Sequence, residues 1–129
     1  MYSGIIVDDA MIMRLRLLEI LGNYFNIMAM ASNGQEGLDF YAQYNPDFIM
    51  LDISMPEKDG LHALHEILSR FPKARVVIMS AVGQRQIVFE ALKLGARDFI
   101  VKPFDSERVL KSVKRLFEVK GRKEGKMET

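Results

Sequence analysis

Five short apolar runs recur along the chain, separated by longer stretches in which apolar residues return every three or four positions. The runs cover residues 4–7, 27–31, 48–51, 76–79 and 99–101. Because their apolar character is continuous rather than alternating, they predict strands buried on both faces, as in a parallel sheet. The stretches between and after them predict amphipathic helices over about 10–24, 34–45, 59–70, 84–94 and 105–119.

The alternation of five strands with five helices predicts the fold class. Strand–helix–strand units joined by right-handed crossovers build a doubly wound α/β domain with a parallel sheet. No change of composition and no internal repeat divides the chain, so residues 1–120 are expected to form one domain. Residues 121–129 lack apolar periodicity and are expected to form a flexible C-terminal tail.

The first predicted helix has two apolar faces. Its core stripe is spaced by three or four residues and consists of Met13, Leu17, Ile20, Leu21 and Tyr24. A second face carries Met11, Leu15 and Leu18. Because a helix that is apolar on most sides is usually covered, this face predicts a docking surface for a partner or for a second copy of the chain. Partial burial beside the fifth helix explains it equally well.

Charge is divided unevenly along the sequence. The net charge is +1, but residues 1–65 carry three bases and nine acids, whereas residues 66–129 carry fifteen bases and eight acids. A basic half is one sign of a nucleic-acid partner. The bases at the end of the chain, however, are interleaved with Glu107 and Glu118 and lack an aromatic platform, so a solvated helix face is the better interpretation and no nucleic acid is expected. These bases are Lys111, Lys114, Arg115, Lys120, Arg122 and Lys123.

Other features of the composition exclude whole classes of protein. The chain has no cysteine, which excludes disulfides and thiolate metal sites. No run approaches the 18 or so apolar residues that a membrane span needs, so no membrane association is expected. The N-terminus has neither the basic start nor the apolar stretch of a signal peptide. A cytoplasmic location is therefore expected.

Chemically useful side chains follow the predicted strands at their carboxyl ends. Asp8 and Asp9 follow the first strand, and Asp52 follows the third. Ser80 and Ala81 follow the fourth strand, and Lys102 follows the fifth. Because ligands of open α/β sheets bind outside the carboxyl ends of the strands, these residues are expected to converge at one site.

Three carboxylates at one site repel each other unless cations compensate. Lys102 supplies one positive charge, and a set of hard oxygen ligands favours Mg²⁺ over zinc, with Mn²⁺ as an alternative. A carboxylate is also a nucleophile toward phosphorus, and phosphoryl transfer needs a metal ion, a lysine and hydrogen-bond donors. Ser80 and the backbone N–H groups of Ser54 and Ala81 are placed to donate.

A family resemblance rests on these motifs taken together. Asp8-Asp9, Asp52 followed by Met55-Pro56 and Asp59-Gly60, Ser80-Ala81 and Lys102-Pro103-Phe104 resemble the receiver domain of two-component response regulators. The resemblance covers about residues 3–118 and is strongest with stand-alone CheY-type chemotaxis proteins. It implies the flavodoxin-like strand order 2-1-3-4-5.

The resemblance also implies a role for each residue of the site. Asp52 accepts a phosphoryl group from the phosphohistidine of a histidine kinase, and Asp52 and Lys102 are the catalytic residues. Mg²⁺ is held by Asp9, Asp52 and the backbone carbonyl of Ser54, with Asp8 acting through water. Lys102, Ser54, Ser80 and Ala81 bind the phosphoryl oxygens.

In the same family a switch follows phosphorylation. Ser80 shifts, and an aromatic residue on the fifth strand, here Phe99, swings inward and remodels the face made by helix 4, strand 5 and helix 5. The usual residue is tyrosine, so Phe99 keeps the rotamer switch but loses the phenolic hydroxyl. Ser54 and Val82 occupy positions that tune self-dephosphorylation.

The implied protein is a signalling phosphoprotein, not a turnover enzyme. A CheA-type histidine kinase is the expected phosphodonor, and the expected targets are a flagellar motor switch protein or a CheY-type phosphatase. The protein is expected to be a monomer or a weak dimer. The runner-up is a single-domain phosphorelay intermediate or adaptor.

Three other functional assignments fit the sequence less well than a receiver domain does. An aspartate-nucleophile phosphohydrolase needs a second acid two residues after the nucleophile, where this chain has Ser54. A flavodoxin-like cofactor module needs a phosphate loop after the first strand, where Asp8 and Asp9 would repel a phosphate. A metal site at His62 and His65, spaced i, i+3 beside Glu66, lacks a further ligand.

Overall fold

The computed structural model describes residues 1–56 and 59–118. Its strands are β1 (Ser3–Val7), β2 (Asn26–Ala31), β3 (Phe48–Asp52), β4 (Val76–Ala81) and β5 (Asp98–Lys102). Its helices are α1 (Met11–Leu21), α2 (Gly34–Tyr44), α3 (Asp59–Arg70), α4 (Arg85–Leu94) and α5 (Ser106–Arg115). The strands form one parallel sheet in the order β2-β1-β3-β4-β5. The expected doubly wound, flavodoxin-like fold is confirmed, while the predicted tail at 121–129 lies outside the described residues.

The sheet separates two hydrophobic cores, because successive residues of a strand point to opposite faces. On β1, Ile5 belongs to the core shared with α2, α3 and α4, whereas Ile6 belongs to the core shared with α1 and α5. Ile49 and Met50 of β3 divide in the same way. Every residue of β3 is buried, but the edge strands β2 and β5 are buried only in part. Continuous apolar runs therefore predicted full burial correctly for the central strands and overstated it at the edges.

The first helix ends earlier than its apolar pattern predicted. Its last residue is Leu21, and the N–H of Gly22 bonds to the carbonyl oxygen of Leu18. Tyr24, expected in the core, is 50% exposed and lies under the ammonium group of Lys114, which is 4.8 Å from the ring centroid. The core position is filled instead by Phe25, which packs edge-on against the ring of Phe48. The prediction for Tyr24 was wrong because the chain leaves the helix before the stripe ends.

The second apolar face of α1 is partly exposed and partly buried. Met11 and Leu15 are 65% and 49% exposed, and the neighbouring Ile12 is exposed as well. Leu18, in contrast, is partly buried and packs against the core beneath α1 and α5. No helix in the described ranges is long and apolar enough to cross a membrane.

Side chains fix where two of the helices begin. Asn33 precedes α2 and accepts a hydrogen bond from the N–H of Glu36 at 2.8 Å. Glu36 in turn accepts bonds from the N–H and hydroxyl of Ser32. Asp105 precedes α5 and caps it by accepting from the N–H of Arg108. These caps satisfy N–H groups that have no partner within the helix.

A polar cluster joins β5 to α5. Asp98 Oδ2 accepts hydrogen bonds from the hydroxyl of Ser112 at 2.7 Å and from Arg115 at 2.8 Å, and Arg108 lies 3.7 Å away. Arg115 therefore belongs to an ion pair rather than to a purely solvated basic face. Burial alone raises the pKa of Asp98, but the bonds from Ser112, Arg115 and the backbone outweigh it and hold the pKa below its usual range.

Replacing Asp98 by asparagine is expected to lower the free energy of unfolding by about 1–2 kcal/mol at pH 7. Because the folded-state pKa is depressed, this stabilisation is present above the unfolded pKa near 3.8 and is lost as the pH falls through the lower folded value. Urea denaturation of both proteins at pH 7 and at pH 3 measures the difference. The variant Glu19→Gln, at an exposed position of α1, is the control. An equal loss of unfolding free energy at both pH values would contradict the depressed pKa of Asp98.

Candidate functional site

Three carboxylates meet at the carboxyl edge of the sheet. Asp8 follows β1 and Asp52 ends β3, which is the neighbouring strand, and their side chains are 0% and 1% exposed. Asp9 is exposed. One oxygen atom of each carboxylate lies within 4.8 Å of the others. The predicted convergence of Asp8, Asp9 and Asp52 is therefore observed.

Lys102 reaches this acidic group from the end of β5. Its Nζ atom lies 2.8 Å from Asp8 Oδ2 and 3.2 Å from Asp52 Oδ2. Burial alone lowers the pKa of Lys102, but the hydrogen bond to Asp8 and the charges of Asp52 and Asp8 raise it above its usual value. Burial raises the pKa of Asp8, and the bonds from Lys102 and the Ala10 N–H offset this only in part. The ammonium group of Lys102 thus pairs with two buried carboxyl groups.

The second oxygen of Asp52 is held by the loop that follows it. The N–H of Ser54 donates to Asp52 Oδ1 at 2.8 Å, and the Ser54 hydroxyl donates to the same atom. With Lys102 on Oδ2, both oxygens have defined partners. The carboxylate is therefore oriented before any ligand arrives.

A glycine lets the third helix pack directly behind the carboxylate. A Cβ atom on Gly60 would lie 2.1 Å from the carbonyl oxygen of Asp52 and 2.7 Å from Cα of Ile53. Both contacts are with backbone atoms, which cannot move aside as a flexible side chain would. The Asp59-Gly60 sequence thus reflects the close approach of α3 to the end of β3.

The hydroxyl of Ser80 is buried without a partner. Ser80 is 0% exposed, and its Oγ atom has no hydrogen-bond partner among residues 1–56 and 59–118. It lines a cavity of about 350 Å³ together with the half-buried Phe99. A buried hydroxyl without a partner costs free energy, so the Ser80 hydroxyl is an available donor at this edge of the sheet.

The backbone N–H of Ala81 has a partner that the sequence did not predict. It donates to the side-chain oxygen Oε1 of Gln84 at 2.8 Å. Arg14 was also missed, and its guanidinium donates to the carbonyl oxygen of Asp8 at 2.8 Å. Only the positions of these two residues in the sequence could have indicated the contacts. Gln84 lies four residues after Ser80, and Arg14 lies in the first turn after Asp8 and Asp9.

The donors at this edge suit a small hard cation. They are three carboxylates, without histidine or thiolate, and Lys102 contacts two of them, Asp8 and Asp52. Mg²⁺ prefers this chemistry and commonly uses one or two carboxylates and water. In the described ranges, Asp8, Asp9 and Asp52 are also the only group of three acidic, histidine or cysteine side chains within metal-binding reach. His65 lies 3.8 Å from Glu66, and His62 lines the groove beside Asp9.

Comparison with known proteins gives a consistent answer. Residues 5–114 match the family model described as the response regulator receiver domain. The chain is 46% identical to the chemotaxis protein CheY of Listeria monocytogenes over 116 residues, which cover 89% of this chain and 98% of the relative. It is 44% identical to the CheY of Bacillus subtilis over 110 residues, covering 84% of this chain and 92% of that one.

A solved structure agrees in both fold and sequence. The crystal structure of a CheX–CheY–BeF₃–Mg²⁺ complex from Borrelia burgdorferi superposes with a TM-score of 0.86 at 37% identity. The match covers 92% of this chain and 90% of that one. Together with the acidic edge and its lysine, these matches confirm the resemblance seen in the sequence motifs. The chain belongs to the response regulator receiver domain family and is similar to CheY chemotaxis proteins.

Proposed function

We propose that Asp52 accepts a phosphoryl group from the phosphohistidine of a histidine kinase in a chemotaxis pathway. The observation that carries the proposal is the setting of Asp52, which is buried at a three-carboxylate edge between the Lys102 ammonium and the Ser54 N–H. This arrangement orients a nucleophilic oxygen and supplies positive charge where a phosphoryl group would arrive. Residues 1–120 are the proposed receiver domain, with 121–129 as a C-terminal tail.

In the proposed reaction a carboxylate oxygen of Asp52 forms a bond to phosphorus. The P–N bond of the phosphohistidine breaks, and its electron pair returns to the imidazole nitrogen of the kinase. Lys102, the Ser80 hydroxyl and the N–H groups of Ser54 and Ala81 bind the phosphoryl oxygens. Asp8, Asp9, Asp52 and the backbone carbonyl of Ser54 would hold Mg²⁺, which neutralises the charge that builds up during transfer.

The proposed switch starts at Ser80. Its hydroxyl has no partner among the described residues, so a phosphoryl oxygen would give it one. Movement of Ser80 toward that oxygen changes the wall of the cavity that Phe99 lines. The Phe99 ring then turns inward and alters the face formed by α4, β5 and α5.

Two surfaces are proposed for partners. The α4–β5–α5 face, to which α5 contributes Arg108 and Lys111, would bind an acidic or amphipathic segment of a flagellar motor switch protein or of a CheY-type phosphatase. The relative from Borrelia burgdorferi was crystallised in complex with CheX, which supports a protein partner for this chain as well. Exposed Met11 and Leu15 on α1 would contact a CheA-type kinase. The proposed location is the cytoplasm, and the proposed state is a monomer or weak dimer.

The geometry around Asp52 supports the other functional assignments less well. A single-domain phosphorelay intermediate would use the same Asp52 chemistry and differ only in its partners. A phosphohydrolase would need a general acid two residues after Asp52, where the Ser54 hydroxyl instead donates to Asp52 itself. A self-dephosphorylating phosphoacceptor, rather than a turnover enzyme, is therefore proposed.

Incubating the protein with Mg²⁺ and acetyl phosphate or phosphoramidate tests the proposal. The expected intact mass rises by one phosphoryl group, and the adduct is labile and is not formed when the divalent cation is chelated. The physical reason is that the charge on the transferring group needs both Lys102 and the metal ion. No adduct at saturating donor would overturn the proposal. Steady turnover of varied phosphomonoesters would favour the hydrolase instead.

A further inference from the structure

The N–H group of Ala81 is already occupied in the structure. Ala81 is the last residue of β4, next to Ser80, and its N–H donates to Oε1 of Gln84 at 2.8 Å. Gln84 is half-buried and directly precedes α4. The turn that brings it back to Ala81 passes through Gly83, whose φ of 90° favours glycine. A side chain of the β4–α4 loop thus fills an acceptor position at the site.

In the proposed function, this same N–H donates a hydrogen bond to a phosphoryl oxygen. One N–H forms one well-aligned hydrogen bond, so the amide of Gln84 and a phosphoryl oxygen exclude each other. We infer that Gln84 is a positioning residue that competes with the phosphoryl group for the Ala81 N–H. It holds the N–H in the unphosphorylated protein and is released on phosphorylation. This inference rests on the proposed function of Asp52.

Release of Gln84 would act directly on the start of α4. The residue is joined to Arg85, the first residue of that helix, and it lines the same cavity of about 350 Å³ as Val88 and Phe99. When its side chain leaves the Ala81 N–H, both the loop and the wall of this cavity change. Gln84 therefore connects the phosphoryl site to α4 by a second route, besides Ser80 and Phe99.

The test measures the affinity of the full-length protein for beryllofluoride in the presence of Mg²⁺, because this ion is a stable analogue of an aspartyl phosphate. Removing the competing acceptor in Gln84→Ala is expected to tighten binding about two- to tenfold, the equivalent of one ordinary hydrogen bond. Gln84→Met keeps the length of the side chain and is expected to tighten binding as well. Gln84→Glu retains the acceptor and adds a negative charge, so binding is expected to weaken.

The matched controls are Gln86→Ala and Gln86→Glu, at an exposed position of α4. They are expected to leave the affinity unchanged, apart from a small long-range effect of the added charge. Hydrogen exchange of the Ala81 amide, measured without Mg²⁺ or beryllofluoride, gives an independent readout. Exchange is expected to be faster in Gln84→Ala and Gln84→Met than in the parent protein.

The outcomes separate the two proposals. If the parent protein does not bind beryllofluoride, the proposed function fails. If it binds, but Gln84→Ala and Gln84→Met bind with equal or lower affinity, Gln84 does not compete and the inference is overturned. A residue that merely stabilised the loop would weaken binding in all three Gln84 variants, whereas competition predicts opposite signs for the neutral and acidic ones.

Discussion

Replacing Asp52 by asparagine is expected to abolish phosphorylation by acetyl phosphate and Mg²⁺. The amide of asparagine is not a nucleophile toward phosphorus, and the neighbouring Asp8 is held by Lys102 and by the N–H of Ala10. The measurement is intact mass under the conditions in which the parent protein gives a phosphoryl adduct. Asparagine keeps an oxygen to accept from the Ser54 N–H, so the variant is expected to fold and to keep its helical circular dichroism.

The control for this prediction is Asp39→Asn, which changes an exposed aspartate on α2 and is expected to leave the adduct intact. An adduct of equal yield in Asp52→Asn would place the acceptor elsewhere. Peptide mapping would then examine Asp8 and Asp9 first, since their oxygens lie within 4.8 Å of those of Asp52.

Replacing Lys102 by methionine is expected to have the largest effect on stability. The substitution leaves Asp8 and Asp52 buried without the ammonium group that contacts both. Removing one partner of a buried ion pair is costly, and we expect the free energy of unfolding to fall by about 3 kcal/mol at pH 7. Urea denaturation in the absence of divalent cations gives this value. Methionine conserves most of the length of the side chain, so little of the loss comes from packing.

The pH dependence of the Lys102 variant provides a second check. The pKa of Asp8 is already raised by burial, and loss of the ammonium group raises it further. A carboxyl group with a raised folded pKa destabilises the protein above that pKa, and the penalty disappears as the pH falls to the unfolded value near 3.8. The difference between variant and parent should therefore shrink at acid pH. Lys111→Met, at an exposed position of α5, should show no such difference.

Most of the site could be predicted from the sequence because a general rule of sheet topology applies. Asp8, Asp52 and Lys102 each follow a short apolar run, and the carboxyl ends of parallel strands meet at one edge. The rule predicts that these side chains converge, but it does not predict the order of the strands. The order was predicted from the resemblance to receiver domains. It also does not say which carboxylate is buried, and in the structure Asp8 is buried whereas Asp9 is exposed.

The features that were missed depend on side-chain geometry. Tyr24 fits the spacing of a core stripe, but the end of α1 at Leu21 turns it to the surface and buries Phe25 instead. Arg115 looked like one of several solvated bases until the packing of α5 on β5 brought it to Asp98. The bond between Gln84 and Ala81 requires one rotamer and one loop conformation. Residue pattern specifies faces and edges, whereas individual contacts depend on the assembled backbone.

The main chain of Phe99 is fixed on both sides of its ring. Its N–H donates to Asp98 Oδ1 at 2.8 Å, and its carbonyl oxygen accepts from Arg108 at 2.6 Å. Because these bonds hold the main chain, the movement proposed for the ring is a rotation about its own side-chain torsions. Such a rotation releases little backbone entropy and is fast compared with the motions of whole helices. Under the proposed function, the lifetime of a signal is then set by the chemistry at Asp52 rather than by the speed of the ring.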